Sequence, residues 1–421
     1  MIVIKRIGSF MTCIAVMFAT VFYPNTSILV KATEEKEHIE GNVTTYIPEG
    51  KTEKTAHTIY WAKGITPPKM PNIVESKSTA KTKGEFSLVD IPTGNIVKRK
   101  KDLTVTIGPK GDKLVNASYI TDFIPGAGWY DAKKFTPFAI GDEVTPEEKI
   151  DGVTDSNLCW AASAANILQW WMDNNRALIE KYVEMDKKVE GLGDPKLLLD
   201  YFAPQSFTNN ADGQYVKNNP IFRLLRKSSI GDNGGYPTLA FDLFLNGYKI
   251  TDNEKSHNDE KDFTPDKNAG FFNAAFGKKL LSSRGIPTRN YDYMSDSLKE
   301  WLNKGYGVVL THKVRKSSHG ITLWGAEYDE NGNLCGLYIT DSNERFSTFG
   351  ERGRPHDKIF AMKRYDAFNA DNALAITHQQ NPKFRGKNYL YDSYLLMPAT
   401  EQLQYFVDHG KQMPQDGNYF P

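Results

Sequence analysis

Cys159, His319 and Asp341 are the side chains whose types and spacing suit covalent acyl transfer. A cysteine attacks as its thiolate, so a site that uses one must lower the thiol pKa. The unpaired amides and dipole of a helix N-terminus do this. Cys159 stands at the head of Leu158-Cys159-Trp160-Ala161-Ala162, a run that reads as helix to Met172 and is apolar around most of its circumference, hence buried. Asp155, Ser156 and Asn157 lie just before it as capping-type residues. Helix position alone leaves a packed core cysteine as an equal reading.

The second part of the pattern is a base. His319 precedes the strand-like run Gly320–Tyr328, and the turn signal Asp329-Glu330-Asn331-Gly332-Asn333 leads into Leu334–Thr340 and Asp341. An Asn-Gly pair between two such runs marks a hairpin. Reversal at Asn331-Gly332 sets His319 opposite Ser342–Glu344, within about two residues of Asp341. An imidazole and a carboxylate brought together this way are the base and orienter of a triad, with the other ring nitrogen facing the thiol. Asn343 adds a second polar contact. His312 also follows a strand but lacks the hairpin geometry, and Asp341 has an alternative role as the cap of the turn Asp341-Ser342-Asn343. A metal site built from His312, His319 and Cys335 matches no standard zinc spacing. No metal and no cofactor is expected.

The elements that must position these groups divide along the chain. Helices are predicted first, at Leu158–Met172, Arg176–Met185 and Pro195–Phe202. Strands follow at Val308–Thr311, Gly320–Tyr328, Leu334–Thr340 and Tyr389–Leu396. Helices followed by an antiparallel sheet define an α+β domain. Lys5 and Arg6 before the apolar run Ile7–Phe22, with Val30-Lys31-Ala32 as a small-residue cleavage site, predict a signal peptide over 1–32. The run is shorter than the ~20 residues of a membrane span. Residues 33–56 read as a disordered polar spacer. A domain over 57–400 begins near Thr58-Ile59-Tyr60-Trp61, and 401–421 read as a C-terminal tail. Within the domain, about 69–123 forms a basic β-rich insertion, with Lys98-Arg99-Lys100-Lys101 on a solvated edge and Thr104–Ile107 as a strand.

A net charge of +1 supplies no field for nucleic acid or an anionic membrane, so neither is an expected partner. An exported chain that loses Cys13 keeps Cys159 and Cys335, and oxidising compartments favour a disulfide between them. The nucleophile reading instead leaves Cys159 free. Oligomeric state is not encoded in any heptad pattern.

The sequence resembles the Mac or IdeS family of streptococcal immunoglobulin-degrading cysteine peptidases. The similarity runs through Trp61-Ala62-Lys63-Gly64-Ile65-Thr66-Pro67-Pro68, Gly128-Trp129-Tyr130-Asp131, Leu158-Cys159 to Trp170-Trp171, Phe244-Leu245-Asn246-Gly247-Tyr248, Gly270-Phe271-Phe272 to Arg284, and His319 to Asp341. The resemblance implies a papain-like fold, its helical half carrying the cysteine and its antiparallel sheet half carrying histidine and aspartate. It implies Cys159 as nucleophile, His319 as base and Asp341 as orienting carboxylate. It also implies a lysine that stabilises the oxyanion, with Lys134 as the positional match and Lys133 one residue away. Asn343 stands where relatives can carry an acidic residue, and Cys335 is an additional thiol.

The implied function is a secreted endopeptidase that cuts host immunoglobulin heavy chains, IgG near the hinge, in immune evasion. Two other readings stand beside it. One is a secreted cysteine peptidase acting on another host or surface protein. The other is an immunoglobulin- or receptor-binding decoy whose catalysis is secondary.

Overall fold

The apolar run after Tyr306 becomes a strand that packs directly on the helix begun by Cys159. The computed structural model describes residues 38–40, 42–47, 55–68, 86–90, 95–99, 118–124, 126–134, 155–202, 219–228, 232–250, 267–283, 285–288, 290–314, 317–342, 361–376, 388–414 and 419–420. In chain order the strands are β1 (His38–Glu40), β2 (Val43–Tyr46), β3 (His57–Trp61), β4 (Phe86–Asp90), β5 (Asn95–Arg99), β6 (Ser118–Asp122), β7 (Ile286–Pro287), β8 (Gly307–Val314), β9 (Ser317–Tyr328), β10 (Leu334–Thr340), β11 (Ala361–Ala370), β12 (Ala373–Ile376) and β13 (Asn388–Leu396). The helices are α1 (Cys159–Asn174), α2 (Arg176–Glu184), α3 (Leu198–Tyr201), α4 (Pro220–Ser228), α5 (Pro237–Asn246), α6 (Asn273–Phe276), α7 (Tyr291–Asn303) and α8 (Thr400–His409).

The fold is a mixture of helices and antiparallel sheet, as the α+β expectation has it. Pairings run β9–β10–β11–β12–β13–β8 and return to β9, so six strands close into a ring. Closure satisfies backbone groups that an open edge would leave unpaired. β3 continues along the same edge of β9 beyond β8, and β2 and β1 extend outward from it. The β9–β10 hairpin turns through Asp329–Asn333, where Gly332 has φ +78° and the Asp329 carboxylate accepts the amides of Asn331 and Asn333.

Every residue of α1 from Trp160 to Met172 is buried. The helix lies between β8 and β9 on one side and α4 and α5 on the other. At Gly307 a Cβ would stand 2.5 Å from Ile167 Cγ2, so the bare backbone lets helix and strand approach closely. Polar residues on a wholly buried helix must find partners. Asn166 takes the Ala132 amide at 2.6 Å and donates to Thr322 Oγ1 at 3.0 Å, while Gln169 donates to the Tyr201 carbonyl at 3.0 Å.

Three expectations need amending. β1 and β2 stand inside 33–56, the stretch read as a disordered spacer. Thr44 and Tyr46 of β2 are buried because Thr44 Oγ1 accepts from Trp61 Nε1 and Tyr46 donates to Glu327, partners a local composition reading does not contain. The segment read as a tail includes α8, whose Leu403 and Phe406 are buried and which packs on α2. In the 69–123 stretch, β4 and β5 form a separate two-stranded sheet, whereas β6 pairs with β11 in the main sheet. Thr104–Ile107, Lys100-Lys101 and the signal-peptide segment lie outside the described residues.

Candidate active site

The loop that presents Cys159 is held from outside itself. Leu158 is the N-cap residue and makes no side-chain cap bond. Asp155, Ser156 and Asn157 lie before the N-cap position, which falls to Leu158. The Asp232 carboxylate instead accepts the amides of Ser156 at 2.9 Å and Asn157 at 2.6 Å, along with the Ser156 hydroxyl. Asp155 is buried and ion-paired with Arg226 of α4 at 3.3 Å. Trp160 Nε1 donates to the Asn233 carbonyl at 3.2 Å, so the 232–233 segment straps the start of α1.

His319 lies on β9 directly opposite His312 of β8. Its Nε2 is 2.6 Å from Asp341 Oδ1. The hairpin register that places Thr340 opposite Thr322 brings these two to the same end of the pair. The imidazole is also hydrogen-bonded to the Cys159 thiol. With Nε2 committed to Asp341, Nδ1 is the nitrogen that faces sulfur. His312 is fully buried and packs edge-on to His319, ring centroids 5.4 Å apart.

Asp341 is itself fully buried. Its Oδ2 accepts from the Tyr365 hydroxyl at 3.2 Å, and its carbonyl accepts from Lys133 Nζ at 2.6 Å. Lys133 is ion-paired with Asp131 at 2.8 Å, and Asp131 accepts the Ala361 amide at 2.9 Å. Lys134 faces elsewhere: its ammonium donates to the Ser156 carbonyl and its charge acts on the Cys159 sulfur. Lys134, the positional match, and Lys133, the alternative one residue away, therefore sit at different places, Lys134 at the thiol and Lys133 behind the carboxylate. Asn343 lies outside the described residues, and its neighbour Ser342 is buried and accepts the Lys134 amide at 3.3 Å.

Electrostatics follow from this geometry. Burial opposes a thiolate at Cys159, but His319, Lys134 and the Gly320 amide outweigh it and bring the thiol down to about 6. Burial likewise opposes charge on His319, yet Asp341 and the Cys159 sulfur raise it to about 9. Between those values the arrangement favours a thiolate–imidazolium pair. Cys159 and Cys335 are both free thiols. Cys335 sits near the far end of the hairpin, beside His57 and Glu327, so the set His312, His319 and Cys335 is not assembled.

Asp232, Tyr365, Asp131 and Asn166 were not singled out by sequence as supports of the site. Asp232-Asn233-Gly234-Gly235 carries a turn signal, but nothing local says which amides its carboxylate will reach. Asp131 belonged to a family motif without a stated role.

The family of the chain is given by comparison with known proteins. The Mac-1 family (Mac 1) matches residues 93–366, and the chain belongs to that family, the Mac or IdeS group its motifs resemble. Among characterised proteins, the IgM protease of Streptococcus suis (strain P1/7) is 28% identical over 324 residues, covering 76% of this chain. The aligned part is 23% of that relative's length.

Proposed function

We propose that this chain is a secreted, papain-like cysteine endopeptidase that cuts immunoglobulin heavy chains. The observation that carries the proposal is His319, hydrogen-bonded to the Cys159 thiol on one side and 2.6 Å from Asp341 on the other. Cys159 thiolate attacks the scissile carbonyl, and His319 donates its Nδ1 proton to the leaving amine. Water deprotonated by the same nitrogen then releases the acyl product. The Lys134 ammonium and the Cys159 amide hold the developing oxyanion, typically worth ~3–4 kcal/mol per donor. Asp341 keeps the ring oriented.

The substrate class rests on family membership and on the name of the S. suis relative. IgG near the hinge is the class implied by resemblance, and the relative's name adds IgM. Export through the Lys5–Ala32 segment would place the enzyme where immunoglobulins occur, as immune evasion requires.

The test incubates purified IgG and IgM with the wild-type chain and with Cys159→Ala, and maps fragments by mass spectrometry. Heavy-chain cleavage of one class by wild type alone is expected. Cleavage that survives in Cys159→Ala would sink the nucleophile assignment, and tight binding without cleavage by wild type would favour the decoy.

A further inference from the structure

His57, Glu327 and Cys335 converge near the end of β9 remote from His319, in a place the proposed peptidase chemistry does not use. His57 Nδ1 lies 2.6 Å from Glu327 Oε1 and 3.8 Å from Cys335 Sγ, and the donor atoms all fall within 4.8 Å of one another. We propose that these three side chains form a binding site for a thiophilic divalent cation of the zinc class.

The donor set is one sulfur, one imidazole nitrogen and one carboxylate oxygen, which suits borderline-soft zinc and leaves a fourth position for water. Metal–donor bonds of 2.0–2.3 Å in a tetrahedron put donors about 3.3–3.8 Å apart. The Nδ1–Sγ distance already fits, and the Nδ1–Oε1 distance has only to open by several tenths of an ångström.

Outer hydrogen bonds hold the carboxylate in the manner of a ligating group. Glu327 is fully buried, its Oε2 accepts from Arg364 Nε at 2.5 Å and Tyr338 at 3.0 Å, and its Oε1 accepts from the Tyr46 hydroxyl at 2.7 Å while facing His57. In the free site the 2.6 Å contact with Glu327 places the His57 proton on Nδ1, and Glu330 Oε2, 3.9 Å from Nε2, favours that proton on Nε2 once a metal takes Nδ1. Charge also balances. Glu327, the Cys335 thiolate and Asp366, which pairs with Arg364, offset the guanidinium and a divalent ion. His57 and Cys335 are partly exposed, so an ion can enter. Glu327 pairs with Ile59 of β3 and Gly336 of β10, Cys335 sits in the bulge between Leu334 and Gly336, and His57 opens β3 opposite Tyr46 of β2. On binding, the Cys335 thiol proton leaves to solvent and the His57 proton moves from Nδ1 to Nε2.

The test uses the full chain carrying Cys159→Ala, so that the other thiol cannot ligate. Titration with zinc chloride followed by calorimetry should give one equivalent bound, and cobalt(II) should give a thiolate charge-transfer absorption. Cys335→Ser in that background should abolish the absorption, and it and His57→Asn should each weaken zinc by at least the ~10–100-fold seen when even an outer partner is disturbed. Zinc affinity unchanged by both substitutions, or no binding in the Cys159→Ala chain, would overturn the proposal.

Discussion

Lys133 and Lys134 are adjacent in the chain, yet one ammonium supports the carbonyl of Asp341 and the other the carbonyl of Ser156, beside the thiol. The pair should therefore separate stability from chemistry. Lys134→Ala is expected to lower the cleavage rate constant by about 100–1,000-fold while the chain stays folded. Lys133→Met leaves Asp131 buried without its cation and should cost about 3–5 kcal/mol of stability. Single-turnover kinetics and urea denaturation on both variants read the two effects. Equal losses of rate in two equally stable variants would contradict the division.

The pH dependence follows from the thiol and the ring. The Cys159 pKa is depressed, so its thiolate is present above about 6 and is lost as pH falls through that value. The His319 pKa is raised, so its charge is held below about 9 and is lost as pH rises through that value. Cleavage should be bell-shaped between those limits. Asp341→Asn removes charge that raises His319, so the alkaline limb should move to lower pH. The pH profile of kcat/KM for cleavage by both chains measures the shift, and an unmoved alkaline limb would contradict it.

Asp232 links the strap to the helix start. Asp232→Ala should cost about 1–2 kcal/mol, as for loss of a capping carboxylate. It should also slow cleavage more than it weakens binding, because the loop whose Ser156 carbonyl seats Lys134 loosens. Urea denaturation with separate kcat and KM values distinguishes this from a purely structural loss, in which kcat per folded molecule would be unchanged.

Asp242 of α5 gives a stability signature independent of the site. Burial raises its carboxyl to about 7, only partly opposed by the Ser282 hydroxyl 3.0 Å away. Between pH ~4 and ~7 the folded state holds a proton that the unfolded chain has released, so stability falls as pH rises, by about 1.4 kcal/mol per unit. Asp242→Asn should flatten that slope and gain relative to wild type at pH 8 over pH 5. Parallel slopes in urea titrations of the two chains would refute it.

What sequence made legible was local. The β9–β10 hairpin announces itself through Asn331-Gly332 between two apolar runs, and its register alone brings His319 to Asp341. Cys159 at a helix start was equally readable. What stayed hidden depends on distant partners. β2 is polar because its buried Tyr46 answers to Glu327, 281 residues on. The loop before α1 is held by Asp232, and the two lysines diverge only once α1 and β10 are both in place. Closure of β8 through β13 into a ring is likewise a property of pairings that no single segment records.

Lys134, Cys159, His319 and Asp341 reach one another only after widely separated parts of the chain have met. Before that, the thiol has its ordinary pKa and is mostly protonated at pH 7; in the finished fold, brought down to about 6, it is mostly thiolate. Nucleophilic power is thus switched on by assembly itself. A nascent or unfolded chain carries a nearly inert sulfur, and the rate at which Cys159 takes up an alkylating reagent doubles as a clock for completion of the fold.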